Sequence, residues 1–492
     1  MILSFIIFWP LFISVVILIS RLKNAKELAL GAAVIELIAS LVMVSQFSNT
    51  AEPQFAVNIP WITSMGVKVN FNVAVDGISL LLVLLTTVLV PFIILSSFSG
   101  SESKPSSFYG LILMMQMALI GVFTARDGFL FYIFWEVALI PIYFICLIWG
   151  GTDRNKITLK FFIYTLAGSL FMLVGLVYLY LQTPNEHSFD ITALYAAGRS
   201  LPVEIQSVIF WAMFVAFAIK MPVFPFHTWQ PDTYSVAPVQ GTMLLSAIML
   251  KMGIYGVIRW LIPVVPMGVS EWGNVAIILS VIGIIYASCI AIIQNDFKRL
   301  IAYSSIAHVG LISAGLFTLS KIGMQGAIIQ MLSHGIVVFA LFYIVEIIFD
   351  RTKTRSLSQL GGIRNEAPVL SSVFIVVMLG SVALPLTSGF VGEFLLINSL
   401  VQYQIVIGTV AGLTIILGAI YMLRTFQKAM SGETNAATKG FLDLTTQEKV
   451  VLYPMVIMIL AIGIYPTPLL EISEAAVDNI LVIVSDLSAS AK

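Results

Sequence analysis

The amino-acid sequence predicts an all-α polytopic membrane protein with about fourteen transmembrane helices, and three observations carry that expectation. Of its 492 residues, 59% are hydrophobic and only 10% are charged, with a mean hydropathy of +1.02; about a quarter of an ordinary soluble domain is charged. Apolar runs of about 20 residues, long enough to cross a hydrocarbon core, recur along the whole chain. Two of these runs hold a proline beside ionisable or glycine-rich sequence, which predicts helices broken inside the bilayer.

In chain order the runs lie near 1–20, 27–47, 77–98, 108–124, 128–149, 158–181, 205–229, 235–262, 273–293, 300–318, 323–349, 369–400, 403–427 and 449–470. The opening MILSFIIFWPLFISVVILIS has no basic leader and no small-residue cleavage site, so it is expected to be the first span and not a removed signal. The intervals are short and carry Gly, Pro, Asn or charge. The longest, 48–76 and 182–204, have room for capping hairpins or surface helices only. Lys and Arg balance Asp and Glu at 25 each, which gives no sign of a nucleic acid or other polyelectrolyte partner. The partner implied is the lipid bilayer. Cys146 and Cys289 sit far apart in apolar runs and are expected to be small buried residues.

Alternation of fourteen spans puts Arg21, Lys23, Lys26, Arg154, Lys156, Lys160, Lys298, Arg299, Arg351, Lys353, Arg355, Arg364, Lys428, Lys439 and Lys449 on one side. By the positive-inside rule that side is cytoplasmic, in a bacterial inner membrane, with both termini opposite. The other face has scattered basic residues such as Lys68, Arg126, Arg199 and Lys321. An internal echo is also present: three ordinary spans, a proline-broken span and another ordinary one occur in spans four to eight and again in nine to thirteen. The breaks are Lys220-Met221-Pro222 and Ala383-Leu384-Pro385. An odd number of spans per unit inverts the second copy. The expected organisation is 1–107, an N-terminal three-helix segment; 108–262, a first five-helix repeat; 273–428, a second, inverted repeat; and 429–492, a C-terminal helix and tail.

The stretch from Ile205 to Ile262 is the centre of the expected chemistry. It holds Lys220 and Lys251 in apolar surroundings, where a cation costs roughly 2.5–3.5 kcal/mol on insertion scales. Pro222 and Pro225 should break the helix there, freeing carbonyls for water or a titrating group. Glu136, in FLFYIFWEVALIPIYF, is the natural partner of Lys220. At ~8 Å and an effective dielectric near 20 their attraction would be ~2 kcal/mol, enough for movement of either to change whether Lys220 keeps its proton. Burial disfavours the charged form of lysine, so Lys251 is expected to be a relay member and not a snorkelling side chain. Alone, His308 and His334 would each sooner be a packing residue than a relay member; because they fill the gap between Lys251 and Glu393 the two readings stand even, since imidazole can donate and accept near neutral pH. Glu393 follows the second break, with Gly389 and Gly392 suggesting close backbone approach or an unwound segment. Glu36 and Glu346, nearer span ends or off this series, are expected to be structural, with contact to a neighbouring subunit as the functional alternative, while Asp127 and Asp232 are expected to cap helices. No histidine pair has metal-ligand spacing, and no dinucleotide fingerprint, phosphate loop, cysteine cluster or haem ligand pair occurs.

Four segments carry a family likeness: FYIFWEVALIPIY, IKMPVFPFHTWQPDTYSVAPVQGTMLLSAIMLKMGIYG, NDFKRLIAYSSIAHVG and LPLTSGFVGEF. In them the chain resembles the antiporter-like membrane subunits of proton-pumping NADH-quinone oxidoreductase, respiratory complex I, over nearly its full length. An acid at Glu393, where sister subunits usually have lysine, narrows the likeness. The resemblance implies fourteen helices in two inverted five-helix repeats, with the seventh and twelfth broken. It implies that Glu136 and Lys220 are the charged pair of the first half-channel and Lys251 the central lysine, that His308 and His334 lie on a connecting polar axis, and that Glu393 exchanges protons with one side. It also implies FMN, iron-sulfur clusters and quinone on other subunits, no cofactor on this chain, and other membrane subunits of complex I, sister antiporter-like subunits included, as partners. Multisubunit sodium/proton antiporters and membrane-bound hydrogenases share most of these motifs and are the alternative.

Overall fold

The computed structural model describes all residues except 22, 64–67, 101–102, 185–186 and 491–492, and the side chains of 486–490. Among the described residues thirteen helices are long and apolar enough to cross a membrane. They begin with α1 (Ile2–Ser20) and α2 (Ala25–Ser45). A hairpin of β1 (Gln54–Ile62) and β2 (Val69–Val75), antiparallel with Val57 opposite Val73 and Ile59 opposite Phe71, then precedes α3 (Gly77–Ser96). Next come α4 (Pro105–Thr124), α5 (Gly128–Trp149) and α6 (Arg154–Gln182). The surface helix α7 (Ile191–Ser200) leads into α8 (Val203–Lys220), α9 (Gln230–Val236) and α10 (Val239–Leu261). The second half comprises α11 (Pro266–Ile293), α12 (Phe297–Leu316), α13 (Lys321–Thr352), α14 (Pro368–Ser381), α15 (Ser388–Tyr403), α16 (Ile405–Met430), α17 (Thr446–Ile464) and α18 (Thr467–Ser490).

Carboxylates fix several helix starts. Asp76 accepts from the backbone N–H of Ile78 and Ser79 while the Ser79 hydroxyl accepts from Asp76 N–H, a reciprocal cap for α3. Asp127 accepts from Phe129 and Leu130 at the start of α5, the capping role expected for it. Asp443, far along the chain, accepts from Val369 and Leu370, 2.9 Å each, at the start of α14.

Helices differ sharply in what surrounds them. Every residue of α10 is buried, so this span is enclosed by protein on all sides. By contrast α1, α2, α6, α16 and α17 present rows of exposed Phe, Ile, Leu and Val, among them Phe12, Val174, Ile416 and Ile457. A bilayer would cover those rows. One span is thus reserved for the interior, and it carries Lys251.

Both expected proline breaks occur. Helix α8 stops at Lys220, because Pro222 has no N–H to continue the ladder. The Ile219 carbonyl freed there accepts from the Trp229 indole at 2.8 Å, so a side chain takes it where water or a titrating group had been expected. The second break separates α14 from α15 and holds Ala383 and Leu386 at φ 55° and 72°. For residues with a Cβ this left-handed backbone costs on the order of 1–3 kcal/mol each.

Three expectations need correcting. Asp232 caps no helix start: it lies inside α9 and pairs with Arg299 at 3.1 Å and Lys160 at 3.3 Å, two cations that the broken span brings alongside. Cys289, expected to be buried, is exposed on α11, whereas Cys146 is buried; Glu36, in the middle of α2 and off the relay series, is fully buried, and among the described residues neither of its carboxylate oxygens is hydrogen-bonded. The tail after the last span is largely helical, as α18, whose Glu474 and Asp478 both accept from Lys321, at 2.7 and 2.9 Å.

Candidate functional site: a buried line of bases and acids

Lys251 occupies a short α-helical turn between two π-helical segments, Leu244–Met249 and Val257–Leu261. The wider π turn leaves carbonyls off the regular ladder, and such segments recur at functional sites. Here the Lys251 ammonium donates to the carbonyl of Ser246, five residues back, at 2.8 Å. Its second contact crosses to α13, where His334 Nδ1 lies 2.9 Å away. For the ammonium to donate to Nδ1, the imidazole must carry its own proton on Nε2, and among the described residues that nitrogen has no partner.

The line continues from His334. Its ring centroid is 5.9 Å from that of His308 on α12, and His308 Nδ1 stands 2.8 Å from Glu393 Oε1 on α15, though off the line a hydrogen bond would take. Gln330, one helical turn before His334 on α13, donates to the same carboxylate oxygen at 3.3 Å. All five side chains are buried. A cavity of about 10 Å³ adjoins the two histidines, lined by His308, Gln330, Ser333, His334 and Ser381 among others, the smallest space that holds one water. Gly392 is what lets α15 come so close, since a Cβ there would stand 2.3 Å from Gln330 Oε1; the glycine serves close approach within a helix and not an unwound segment.

Lys220 and Glu136 are assembled differently. The Lys220 ammonium lies 5.2 Å from the centre of the Trp135 ring, a cation-π distance. Glu136, on the next residue of α5, is within Coulombic reach of it and has Ser169 of α6 as its hydroxyl neighbour. Among the described residues the two make no direct ion pair. The broken end of α8 abuts α10 at Gly253, where a Cβ would stand 2.8 Å from both Met221 N and Phe217 O. Backbone contact thus joins the segments that carry the two lysines.

Two polar residues near this line take places that their sequence signal did not indicate. Lys298, counted as a loop charge, is buried and donates to the Ala237 carbonyl at 2.7 Å. Glu346 stands 3.9 Å from Arg355, within its own chain, instead of being left for a neighbouring subunit. Both acid and arginine line a cavity of about 720 Å³ that also includes Gln240, Tyr343 and Asp350 and opens at the loops around Gly100 and Gly151, on the basic-loop end. Gln330 was the one residue within sight, because the i, i+4 spacing puts it on the His334 face.

A family model described as NADH:quinone oxidoreductase/Mrp antiporter, TM, matches residues 125–418. The chain is 39% identical to NADH-quinone oxidoreductase subunit M of Rickettsia conorii, over 98% of this chain and 99% of that protein. It is 36% identical to NADH-ubiquinone oxidoreductase chain 4 of Marchantia polymorpha, over 97% of each. Among solved structures it is similar to a chain of respiratory complex I from Thermus thermophilus with bound NADH, with a TM-score of 0.90 and 27% identity over 98% of this chain and 100% of that one. With the family model spanning both broken helices and these relatives aligned almost end to end, the chain belongs to the NADH:quinone oxidoreductase/Mrp antiporter transmembrane family.

Proposed function

We propose that this chain is the proton-translocating membrane subunit of an NADH:quinone oxidoreductase, and that Glu136, Lys220, Lys251, His334, His308 and Glu393 are its proton path. The carrying observation is the buried alignment of Lys251, His334, His308 and Glu393, with 2.9 Å between Lys251 and His334, 5.9 Å between the two imidazole centroids and 2.8 Å between His308 and Glu393. In this reading the Lys251 ammonium gives a proton to His334 Nδ1 as Nε2 releases one, through a single water in the 10 Å³ space, to His308. His308 passes it to Glu393, and Lys251, now neutral, is ready for reprotonation. Imidazole suits the step because it takes a proton on one nitrogen and gives one from the other.

The first half sets the timing. Trp135 and the field of Glu136 hold the proton on Lys220, and a shift of that acid changes the field by a few kcal/mol at short range. Lys251 then receives the proton across the Gly253 contact. The large cavity at the basic-loop end, with Glu346 and Lys298 at hand, is the intake, and Glu393 faces release. On this reading the basic loops are cytoplasmic, the membrane is a bacterial inner membrane, and redox chemistry, with its flavin, iron-sulfur clusters and quinone, stays on other subunits of the complex. A subunit of a sodium/proton antiporter or membrane-bound hydrogenase is the less favoured reading, because the curated relatives matched over nearly their full length carry NADH-quinone or NADH-ubiquinone names.

The test is Lys220→Ala and Glu136→Ala in the intact complex. Proton pumping should collapse while NADH oxidation by artificial acceptors persists; an assembled complex that pumps undiminished would remove the path from consideration.

A further inference from the structure

Two buried lysines hold carbonyls of one stretch of backbone. Lys251 donates to Ser246 inside α10 at 2.8 Å, and Lys298, the second residue of α12, donates to Ala237, at the joint of α9 and α10, at 2.7 Å. Of the two, only Lys251 also meets a base, His334 Nδ1 at 2.9 Å. Among the described residues the Lys298 ammonium has the Ala237 carbonyl as its one hydrogen-bond acceptor, while Arg355, Glu346 and Asp296 act on it through space. A carbonyl accepts a hydrogen bond but keeps no proton near neutral pH. Although Ala237 borders the intake cavity of about 720 Å³, Lys298 is thus placed to hold and not to hand on.

The joint explains what is held. Ala237 precedes Pro238, which has no N–H to carry α9 onward, so the last carbonyls of α9 are left without partners in their own helix. Three in a row are taken from outside: Ser235 by Arg355 Nη1 at 3.1 Å, Val236 by the Gly151 N–H at 2.8 Å and Ala237 by Lys298. A cation suits the carbonyl end of a helix and not the N–H end. Lys298 is buried in the first turn of its own α12, where that helix's dipole opposes it. The carbonyl end of α9 is what stabilises it there.

Both α10 and α12 begin at this bond and run away from it. Lys251 follows Ala237 by ~21 Å along α10, and His308 follows Lys298 by ~15 Å along α12, at ~1.5 Å per residue. His334 of α13 has to meet both of them. A slip of α10 by one residue, ~1.5 Å, is half the Lys251–His334 distance of 2.9 Å and exceeds the whole spread of hydrogen-bond lengths. We infer that Lys298 is a positioning residue: by holding Ala237 it sets the height of α10 against α12, and so the meeting of Lys251 with His334, without itself passing a proton. The inference rests on the proposed path.

The test is Lys298→Met and Lys298→Arg in the intact complex in liposomes, with NADH-driven proton uptake read by a pH dye across a range of pH. The Met variant keeps the bulk and loses the donor, and uptake should fall on the order of 10- to 10²-fold, the cost of a misplacement near 1 Å. The Arg variant keeps donor and cation but never releases its proton, and should pump at the unaltered rate with an unaltered pH profile. A third arm adds Lys298→Met to Lys251→Met. If Lys298 acts through Lys251, the double variant is no worse than Lys251→Met alone; losses that multiply assign Lys298 a separate role and overturn the inference. Equal loss in the Arg and Met variants makes Lys298 a proton carrier and overturns it too, and the Arg variant decides alone should the Met chain fail to assemble. Undiminished pumping by Lys298→Met overturns the brace and leaves the path standing, whereas full pumping by Lys220→Ala would remove the path itself.

Discussion

The two broken helices of this chain are built on opposite principles. At the first, the break is filled: Trp229 takes the freed Ile219 carbonyl, Trp135 faces the Lys220 ammonium, and Glu136 acts across space without touching it. At the second the break is strained and wired, with two left-handed residues, Ala383 and Leu386, leading into Glu393 and its contacts at 2.8 and 3.3 Å. A side chain held at a distance responds to a neighbour's field, whereas side chains in contact pass a proton. On the proposed path the first half would serve control and the second conduction, with Lys251 between them.

That contrast can be broken at the join. Lys251→Met removes the donor to both Ser246 and His334 and should lower redox-driven proton uptake by a factor on the order of 10², measured with a pH dye in proteoliposomes; electron transfer to an artificial acceptor should survive. Gly253→Val comes next. It drives a side chain into the backbone of Met221 and Phe217 and should cost about 1–3 kcal/mol in thermal stability as well as pumping, whereas Gly31→Val, with nothing within 4 Å, should change neither. Gln330→Leu deletes one donor to Glu393, worth about 1 kcal/mol, and should slow pumping several-fold; a matching loss in Lys220→Ala alone, and none here, would erase the distinction between the halves.

One expected effect lies off the path and leaves pumping unchanged. Burial pushes the Asp127 carboxyl up to about 6, against the pull of its bonds from Leu130, Asn70 and Phe129. A group raised in the folded state is protonated there while the unfolded chain has already lost its proton, so the folded state gives up stability as pH rises from the unfolded value through 6. Asp127→Asn, which keeps a capping oxygen, should be the more heat-stable form above pH 6 by about 1–3 kcal/mol. The advantage should vanish at pH 4, and an infrared carboxyl band titrating near 6 should be missing from the variant.

Much of this was legible because the bilayer punishes ambiguity. Glu136, Lys220, Lys251 and Glu393 stand out as ionisable residues in apolar runs, and Pro222 and Pro385 mark both breaks in the sequence itself. What escaped notice depends on pairing across long sequence distances. Arg259 and Asp76 meet across 183 residues, and Asp443 reaches back to cap α14. Lys298 follows an Asp-Phe pair at a loop edge, which reads as a surface charge, yet it turns inward to the Ala237 carbonyl. The π-helical turns around Lys251 have no proline or glycine signature of their own in Leu244–Met249, and α18 was hidden by Glu471, Glu474 and Asp478, which depress its hydropathy.

The central claim is that protons leave Lys251 by way of His334 and His308 to Glu393. The most direct measurement is the ratio of protons moved to electrons transferred in liposomes containing the intact complex with Glu393→Gln, a substitution that keeps the shape and the Gln330 contact but cannot shed a proton. The account predicts continued NADH oxidation with a ratio below that of the unaltered complex. An unchanged ratio would contradict it.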